Sequence, residues 1–241
     1  MDLHIPLNFT STSLRHDNTK KPAVVLGASV NGLGVIRALG RFEIKVYAFY
    51  KNPGVEIGYK SKYCIPVRYI SEKDLFSKLI TVSELEKTNP VLFCSSDEMV
   101  SFVLENNSYL KKLFTYNFGD IDLIQTLLDK SEYNKLLKKY AIPYPRTLYP
   151  KEFISHEILI KEIESMLFPV LAKPAITFRN AIIAYEKNKV FHTLEEILKF
   201  IKQNQESMDE IIFQEIIPHS DKDIYYCSGY SDRNGNIKAL F

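Results

Sequence analysis

The sequence has no tryptophan, only nine glycines and three cysteines, and almost no excess of charge. Cys64, Cys94 and Cys227 are far apart and show neither CxxC nor Cys/His spacing, so neither a disulfide framework nor a zinc site is indicated. The 31 basic and 29 acidic side chains nearly cancel, whereas nucleic-acid binding needs a concentrated positive field. We therefore expect no metal site built on cysteine and no nucleic-acid partner.

Long apolar runs are also missing. No stretch approaches the ~18 apolar residues that span a bilayer, and the N-terminus lacks a basic start followed by an apolar block. We expect a cytoplasmic protein with reduced thiols and no membrane partner. The 46% of hydrophobic and 25% of charged residues are ordinary for a globular protein with a substantial core.

Residues 22–118 alternate short strand-like runs with helical patterns, whereas residues 1–21 are polar and aperiodic and are predicted to form a loose N-terminal arm. Helices are predicted from Gly32 to Gly40, over 71–87 and from Asp97. The strand-like runs are AVVLG, IKVYAF, CIPVRY, VLFCS and LFTYNF. This alternation is typical of βαβ units, so a Rossmann-like domain with a parallel sheet is predicted over 22–118.

The pattern changes after residue 118 and predicts an α+β unit. A helix with a stripe of Leu136, Leu137 and Tyr140 ends at IPYP. Around Asn234-Gly235, two alternating runs predict a tight hairpin. Between these lie a buried strand, a hairpin-like piece, an amphipathic helix and another strand, with the sequences FPVLAKP, AIIAYEKNKV, TLEEILKFIKQ and EIIFQEII.

A glycine-rich segment, GASVNGLGVIRALG at 27–40, follows the first predicted strand. Gly27, Gly32 and Gly34 do not have the G-x-G-x-x-G spacing of dinucleotide-binding proteins, and the acid expected after the second strand is missing. Three interpretations stay open: a tight turn that packs helix on sheet, a small anionic ligand at the helix N-terminus, or a nicotinamide cofactor.

Three further features of the sequence could carry chemistry. Lys173 ends an apolar strand, so its ammonium group is either open to water or paired with an anion. Lys130 begins a helix whose other lysines suggest a solvated face. The segment IIFQEIIPHSDKD could hold a flat heteroaromatic ring, or it could be a core strand followed by a polar turn.

The order of these motifs resembles the ATP-grasp superfamily, especially its predicted carboxylate-amine ligases and carbamoyl-phosphate-synthase-like members. The motifs are NGLGVIRALG, VLFCSSDEMV, DKSEYNKLLKKYAIPYPRT, FPVLAKP and IIFQEIIPHSDKD, over about 22–241. The resemblance implies a pre-ATP-grasp domain at 22–118, linker helices and a lid subdomain at 119–213, and a hinge with the start of the C-terminal subdomain at 214–241. It also implies ATP as cofactor and activation of a small carboxylate as an acyl phosphate.

Site residues follow from the resemblance in the same way. Lys130 and Lys173 would contact the ATP phosphates, and Asp221 or Asp223 the ribose hydroxyls. The segment Gln214, Glu215, Ile216 and Ile217 would meet the adenine edge, chiefly through the backbone of Glu215 and Ile217. Weaker candidates for the carboxylate substrate stand where the first and fourth predicted strands end: Asn31, Gly32, Ser96 and Asp97. Ser96 and Asp97 also fit a helix N-cap.

Two departures from the family limit what the resemblance implies. The family's magnesium ligands come well after the hinge, so we expect this chain to hold only the N-terminal two-thirds, to be inactive alone, and to need magnesium only when completed. The family's glycine-rich loop after the strand lysine is replaced by AITFRNA. Alternatives are a non-catalytic nucleotide- or metabolite-binding subunit and a nicotinamide-dependent oxidoreductase. The possible protein partners are a second copy of the chain, in a homodimer, or a polypeptide that supplies the C-terminal part.

Overall fold

The computed structural model describes residues 17, 19–175, 188–218, 222, 224–232 and 234–241. The chain divides into two compact units, one up to Phe118 and the other from Gly119 onward. None of the described helices is long and apolar enough to cross a membrane.

The first unit is built around a four-stranded parallel sheet with the strand order β3-β2-β1-β4. This arrangement confirms the predicted parallel sheet. The elements in chain order are β1 (Ala23–Leu26), α1 (Val30–Gly40), β2 (Val46–Tyr50), a 3₁₀ turn (Ile57–Lys60), β3 (Ile65–Arg68), α2 (Glu72–Glu86), β4 (Val91–Cys94), α3 (Asp97–Glu105) and α4 (Asn107–Leu113).

Both faces of this sheet are covered, which explains why its central strands are continuous apolar runs. Every residue of β1 is buried, but alternate side chains enter different cores. Val24 and Leu26 pack with α2 and α3, whereas Ala23 and Val25 pack with Ile36 of α1. Parallel pairing requires a crossover between strands. Helix α1 connects β1 to β2 and α2 connects β3 to β4, whereas β2 and β3 are joined by the segment that contains the 3₁₀ turn.

The predicted strand LFTYNF is wrong in this unit. Leu113 ends α4, and only Thr115 makes an isolated parallel bridge, to Val91. The aromatic residues pack instead as an irregular segment: Phe114 is buried in the core, and the rings of Tyr116 and Phe118 meet edge to face at 5.1 Å. The apolar run therefore marks core packing rather than strand pairing.

The second unit is an α+β arrangement around an antiparallel sheet with the order β5-β8-β6-β7. A separate antiparallel hairpin, β9–β10, turns at Asn234-Gly235 as predicted, with Gly235 at φ +79°. The elements are α5 (Ile121–Leu128), α6 (Lys130–Lys139), β5 (Thr147–Leu148), α7 (His156–Glu164), β6 (Val170–Pro174), β7 (Lys189–Phe191), α8 (Leu194–Gln203), β8 (Ile211–Glu215), β9 (Gly229–Ser231) and β10 (Ile237–Leu240).

Helix α6 departs from its predicted apolar stripe. Leu137 is buried, but Tyr140 is 63% exposed because the helix ends at Lys139. Ser131 and Asn134 take the buried positions instead. Of the hairpin-like piece AIIAYEKNKV, residues 181–187 lie outside the described residues, and Lys189 and Val190 belong to β7.

The two faces of the antiparallel sheet have different roles. Val170, Ala172 and Phe213 face a core made with α7 and α8. Because side chains alternate along a strand, the intervening residues Lys173 and Gln214 point to the opposite face. We call this second side the Lys173 face; it also carries the small buried cluster of Tyr149, Ala175 and Ile212.

Candidate functional site

Lys173 lies at the centre of the candidate site, next to the last residue of β6. It pairs in register with Ile212 of β8, and its ammonium nitrogen donates a hydrogen bond to Oε1 of Gln214 at 2.6 Å. Burial lowers the pKa of the Lys173 ammonium from its ordinary value. Among the described residues, its hydrogen-bond partner is thus a neutral amide rather than an anion.

The charge of Lys173 is not balanced within the described part of the chain. No carboxylate there lies within ion-pair distance of its ammonium nitrogen, although the side chain is half-buried. A half-buried cation with a neutral partner favours the approach of an anion, because an anion recovers part of the solvation that burial removed.

Lys130 reaches the same end of β6 from the start of α6. Its ammonium nitrogen donates to the carbonyl oxygens of Pro174, at 3.0 Å, and Ala175, at 3.4 Å. Its main-chain N–H also donates to the Ala175 carbonyl, and the Tyr149 hydroxyl donates to the Lys130 carbonyl at 3.2 Å. Lys130 is therefore not part of a solvated face. The two lysines proposed for the phosphates lie at one end of one strand.

The predicted adenine segment follows directly along β8. The N–H of Glu215 donates to the carbonyl of Arg146 at 2.9 Å, and that of Ile216 to the carbonyl of Pro169 at 3.3 Å. The Glu215 carboxylate accepts from the Leu167 N–H at 2.9 Å, on the other side of the sheet from Gln214. Only the backbone of Glu215 can therefore serve the Lys173 face. Ile217 is 59% exposed.

The ribose candidates Asp221 and Asp223 lie outside the described residues. Their proposed role stays a prediction. Within the described ranges, no group of three or more His, Cys, Asp or Glu side chains is arranged to hold a metal ion.

The glycine-rich turn of the first unit holds an anion supplied by the protein itself. One carboxylate oxygen of Glu56 accepts from the Ala28 N–H at 3.0 Å, and the other accepts from the N–H groups of Lys51 and Asn52 at 2.7 and 2.8 Å. The turn thus uses its Ala28 N–H, a donor that could otherwise meet a phosphate. No acid ends β2, but Glu56, six residues later, returns to the turn.

Two positions of the turn, 27 and 32, require glycine. Gly27 has φ +85°, and a Cβ on Gly32 would lie 2.0 Å from the Gly27 carbonyl oxygen. Ser95 closes the turn from β4 by donating its hydroxyl to the same carbonyl at 2.8 Å. These contacts support the interpretation of a tight turn that packs helix on sheet.

The weaker substrate candidates lie around this turn. The Asn31 amide donates to the Ser95 carbonyl at 3.5 Å, and Gly32 is buried. Ser96 is the N-cap of α3, where its hydroxyl accepts from the Met99 N–H at 3.4 Å, and Asp97 is exposed in the first helical turn. The helix-cap interpretation of Ser96 holds, while a role in substrate binding stays a prediction.

Comparison with known proteins places this geometry in context. No family model matches the chain. It is 24% identical over 159 residues to D-aspartate ligase of Enterococcus faecium (strain Aus0004), which is 62% of this chain and 37% of the ligase. It superposes on an ADP complex of N5-carboxyaminoimidazole ribonucleotide synthetase with a TM-score of 0.65 and 12% identity, over 92% of this chain and 52% of that one.

The chain has the ATP-grasp fold. The resemblance inferred from the ordered motifs is thereby confirmed. L-amino acid ligase from Bacillus licheniformis also superposes, with a TM-score of 0.56 and 11% identity over 82% of this chain and 44% of that one. The ATP-grasp relatives are longer: this chain spans between 37% and 52% of the length of these three.

Two contributors to the candidate site were not predicted from the sequence. Thr147 accepts a hydrogen bond from the Gln214 amide at 2.7 Å, and Tyr149 contacts Lys130. Both lie on or beside the two-residue strand β5, which is too short to show a periodicity. A third residue, Glu56, could have been noticed as the first acid after β2.

Proposed function

We propose that this chain is the ATP-binding part of an ATP-dependent carboxylate-amine, or carboxylate-thiol, ligase that acts through an acyl phosphate. The observation that supports the proposal most is Lys173, a half-buried ammonium on the sheet face beside the hinge, with a neutral amide as its described partner. Lys130 at the same strand end would add a second positive charge for the phosphates.

The remaining roles belong to the same proposal. The extended segment of Gln214, Glu215, Ile216 and Ile217 would bind the adenine edge, and Asp221 or Asp223 the ribose. Asn31, Gly32, Ser96 and Asp97 would lie near the carboxylate substrate. Two of the superposed synthetases are ADP complexes, which supports a nucleotide at this fold's site.

The proposed reaction has two steps that balance in atoms and charge. A substrate carboxylate oxygen attacks the γ-phosphorus of ATP, so that ADP leaves and an acyl phosphate forms. An amine or thiol then attacks the acyl carbon and releases inorganic phosphate, and the nucleophile loses a proton. Positive groups positioned on the phosphates lower the barrier of the first step because they neutralise its negative charge.

Magnesium is expected to neutralise further charge in a completed ligase, but the described residues offer no carboxylate cluster that fits it. No step above depends on it. Since the chain spans only about half of its relatives' length, we propose that the 241 residues alone bind ATP without measurable turnover. Binding without turnover would also fit a non-catalytic nucleotide-binding subunit.

Isothermal titration calorimetry of the chain with ATP and ADP, with and without magnesium, tests the proposal. We expect a micromolar dissociation constant that Lys173→Met weakens at least about tenfold, since it removes a charge-assisted contact. Lys202→Ala, an exposed lysine of α8, is the matched control and should bind like the wild type. No heat with either nucleotide at millimolar concentration would overturn the proposal.

A further inference from the structure

A directional chain of hydrogen bonds crosses three segments of the Lys173 face. Lys173 donates its ammonium proton to Oε1 of Gln214 at 2.6 Å, and Nε2 of Gln214 donates to Oγ1 of Thr147 at 2.7 Å. The Thr147 hydroxyl donates in turn to the carbonyl of Pro145 at 2.9 Å. Thr147 and Gln214 are direct partners in the β5–β8 pairing, so the backbone fixes their separation.

The chemistry of the groups allows only one direction for this chain. An ammonium group is donor only and a carbonyl is acceptor only, so the two ends are fixed. Because Thr147 gives its single proton to Pro145, its oxygen can only accept from Gln214. The amide nitrogen of Gln214 must then face Thr147, which leaves the amide oxygen for Lys173.

Without the Thr147 hydroxyl, the Gln214 amide loses one of the two hydrogen bonds that fix its orientation. The Gln214 amide could rotate by half a turn and present its NH₂ group to the Lys173 ammonium, where two donors would face each other. The ammonium would then have to move away from β8. Three of the four groups are half-buried side chains, so water compensates only in part for a lost partner.

We propose that Thr147 is a positioning residue of the nucleotide site, acting through the Gln214 amide to hold the Lys173 ammonium where it meets a phosphate. This inference rests on the proposed function, which assigns Lys173 to the ATP phosphates. Thr147 belongs neither to the strand that carries Lys173 nor to the hinge segment. It lies on β5, which pairs with β8 on the side away from β6.

Calorimetric ATP titrations of Thr147→Val and Thr147→Ser, each on the full chain, test this role. Val has the shape of Thr but no hydroxyl, and we expect it to raise the ATP dissociation constant about threefold to tenfold, the value of one hydrogen bond. Ser keeps the hydroxyl and should restore binding to within about twofold of the wild type. Thermal melting establishes that each variant is folded, and Thr147→Ala replaces Val if Val fails to fold.

A double-mutant cycle with Gln214→Leu separates positioning from a general structural effect. If Thr147 acts through Gln214, then Thr147→Val should cause no further loss of ATP affinity in the Gln214→Leu background. An equal loss in both backgrounds, or wild-type affinity for Thr147→Val alone, would overturn the inference.

An NMR measurement on the nucleotide-free chain gives a second readout. The Gln214 side-chain amide protons should be protected from solvent exchange in the wild type and in Thr147→Ser, and lose protection in Thr147→Val. Unchanged protection in Thr147→Val would contradict the inference. If the wild-type chain binds no ATP, the proposed function fails, whereas the amide exchange still reports on the Thr147–Gln214 contact.

Discussion

The ammonium nitrogen of Lys173 lies 2.6 Å from Oε1 of Gln214, across two strands that pair in antiparallel register. In the part of the chain that the structure describes, the partner is polar but uncharged, so the cation of Lys173 carries a burial cost that this partner offsets only in part. A site that binds a polyphosphate benefits from this arrangement, because the ligand supplies the missing negative charge.

The first prediction concerns the pH dependence of stability. Burial lowers the pKa of Lys173 below its ordinary value of 10.5, so the unfolded chain binds that proton more tightly. The charged lysine therefore costs stability at low pH, and this cost fades as the pH rises through the lowered pKa towards 10.5. Compared with Lys173→Met, the wild type should gain stability as the pH rises towards 10.5.

Urea unfolding of both proteins across this range measures the difference. Taking the difference removes the contribution of the other titrating lysines and tyrosines. A constant stability difference between wild type and Lys173→Met over the whole range would show that burial does not lower the pKa of Lys173.

The second prediction compares two glycines of helix α1. Gly32→Ala would place a Cβ 2.0 Å from the Gly27 carbonyl oxygen and should destabilise the chain by about 1–3 kcal/mol through overpacking. A Cβ on Gly34 would have no neighbouring heavy atom within 4 Å, so Gly34→Ala should stabilise the chain by about 0.5–1 kcal/mol. Opposite signs in chemical denaturation are expected, and equal effects would refute the close packing of the turn.

The third prediction concerns Glu56 beneath the glycine-rich turn. Glu56→Ala leaves three backbone N–H groups without their carboxylate, of which that of Ala28 is buried. A loss of about 1.5–3 kcal/mol in the free energy of unfolding is expected, the value of a hydrogen bond to a charged group.

Glu84→Ala, at an exposed position of α2, is the control for Glu56 and should change stability by less than about 0.5 kcal/mol.

Because the Ala28 N–H already binds the Glu56 carboxylate, NADH fluorescence should not change when the protein is added. Quenching or enhancement that saturates with protein would revive the nicotinamide alternative.

The fourth prediction concerns the three thiols, which are all free. Cys227 is exposed, whereas burial raises the pKa of Cys64 to about 11 and that of Cys94 to about 12. Thiolates are the reactive form, so a disulfide reagent at about pH 8 should label one thiol quickly in the folded chain and all three in denaturant. Cys227→Ser should abolish the fast phase, and its persistence would contradict the burial of the other two.

The sequence predicted most of the strands and helices because their apolar periodicity matches what the sheets bury. Strand β1 reads as a continuous apolar run since both faces of its sheet are covered, and Asn234-Gly235 specifies its hairpin locally. LFTYNF failed because aromatic residues favour strands and irregular core packing alike.

The site was only partly predictable for a different reason. Lys130 and Lys173 are 43 positions apart in sequence, and only the ordered motifs suggested that they meet. The Thr147 contact depends on the register between a two-residue strand and β8, which no local pattern encodes. The hydrogen bond between the Glu56 carboxylate and the Ala28 N–H is likewise a tertiary contact, which local sequence does not predict.

The fifth prediction concerns the hairpin β9–β10 and the segment before it, which expose large apolar side chains: Ile224, Tyr225, Tyr226, Tyr230, Ile237, Leu240 and Phe241. Clustered apolar side chains and open strand edges favour self-association. Light scattering should show a mass that rises with concentration, and Tyr230→Ser with Ile237→Ser should reduce this rise. A strictly monomeric mass at high concentration would contradict the prediction.

The central claim is that a nucleotide binds to the Lys173 face of the antiparallel sheet. Titration of the ¹⁵N-labelled chain with ATP, followed by backbone amide shifts, tests it directly. The account predicts that the largest shifts fall on Lys130, Lys173 and residues 214–217, and that they disappear in Lys173→Met. Shifts confined to residues before Gly119, or no shifts at saturating ATP, would contradict it.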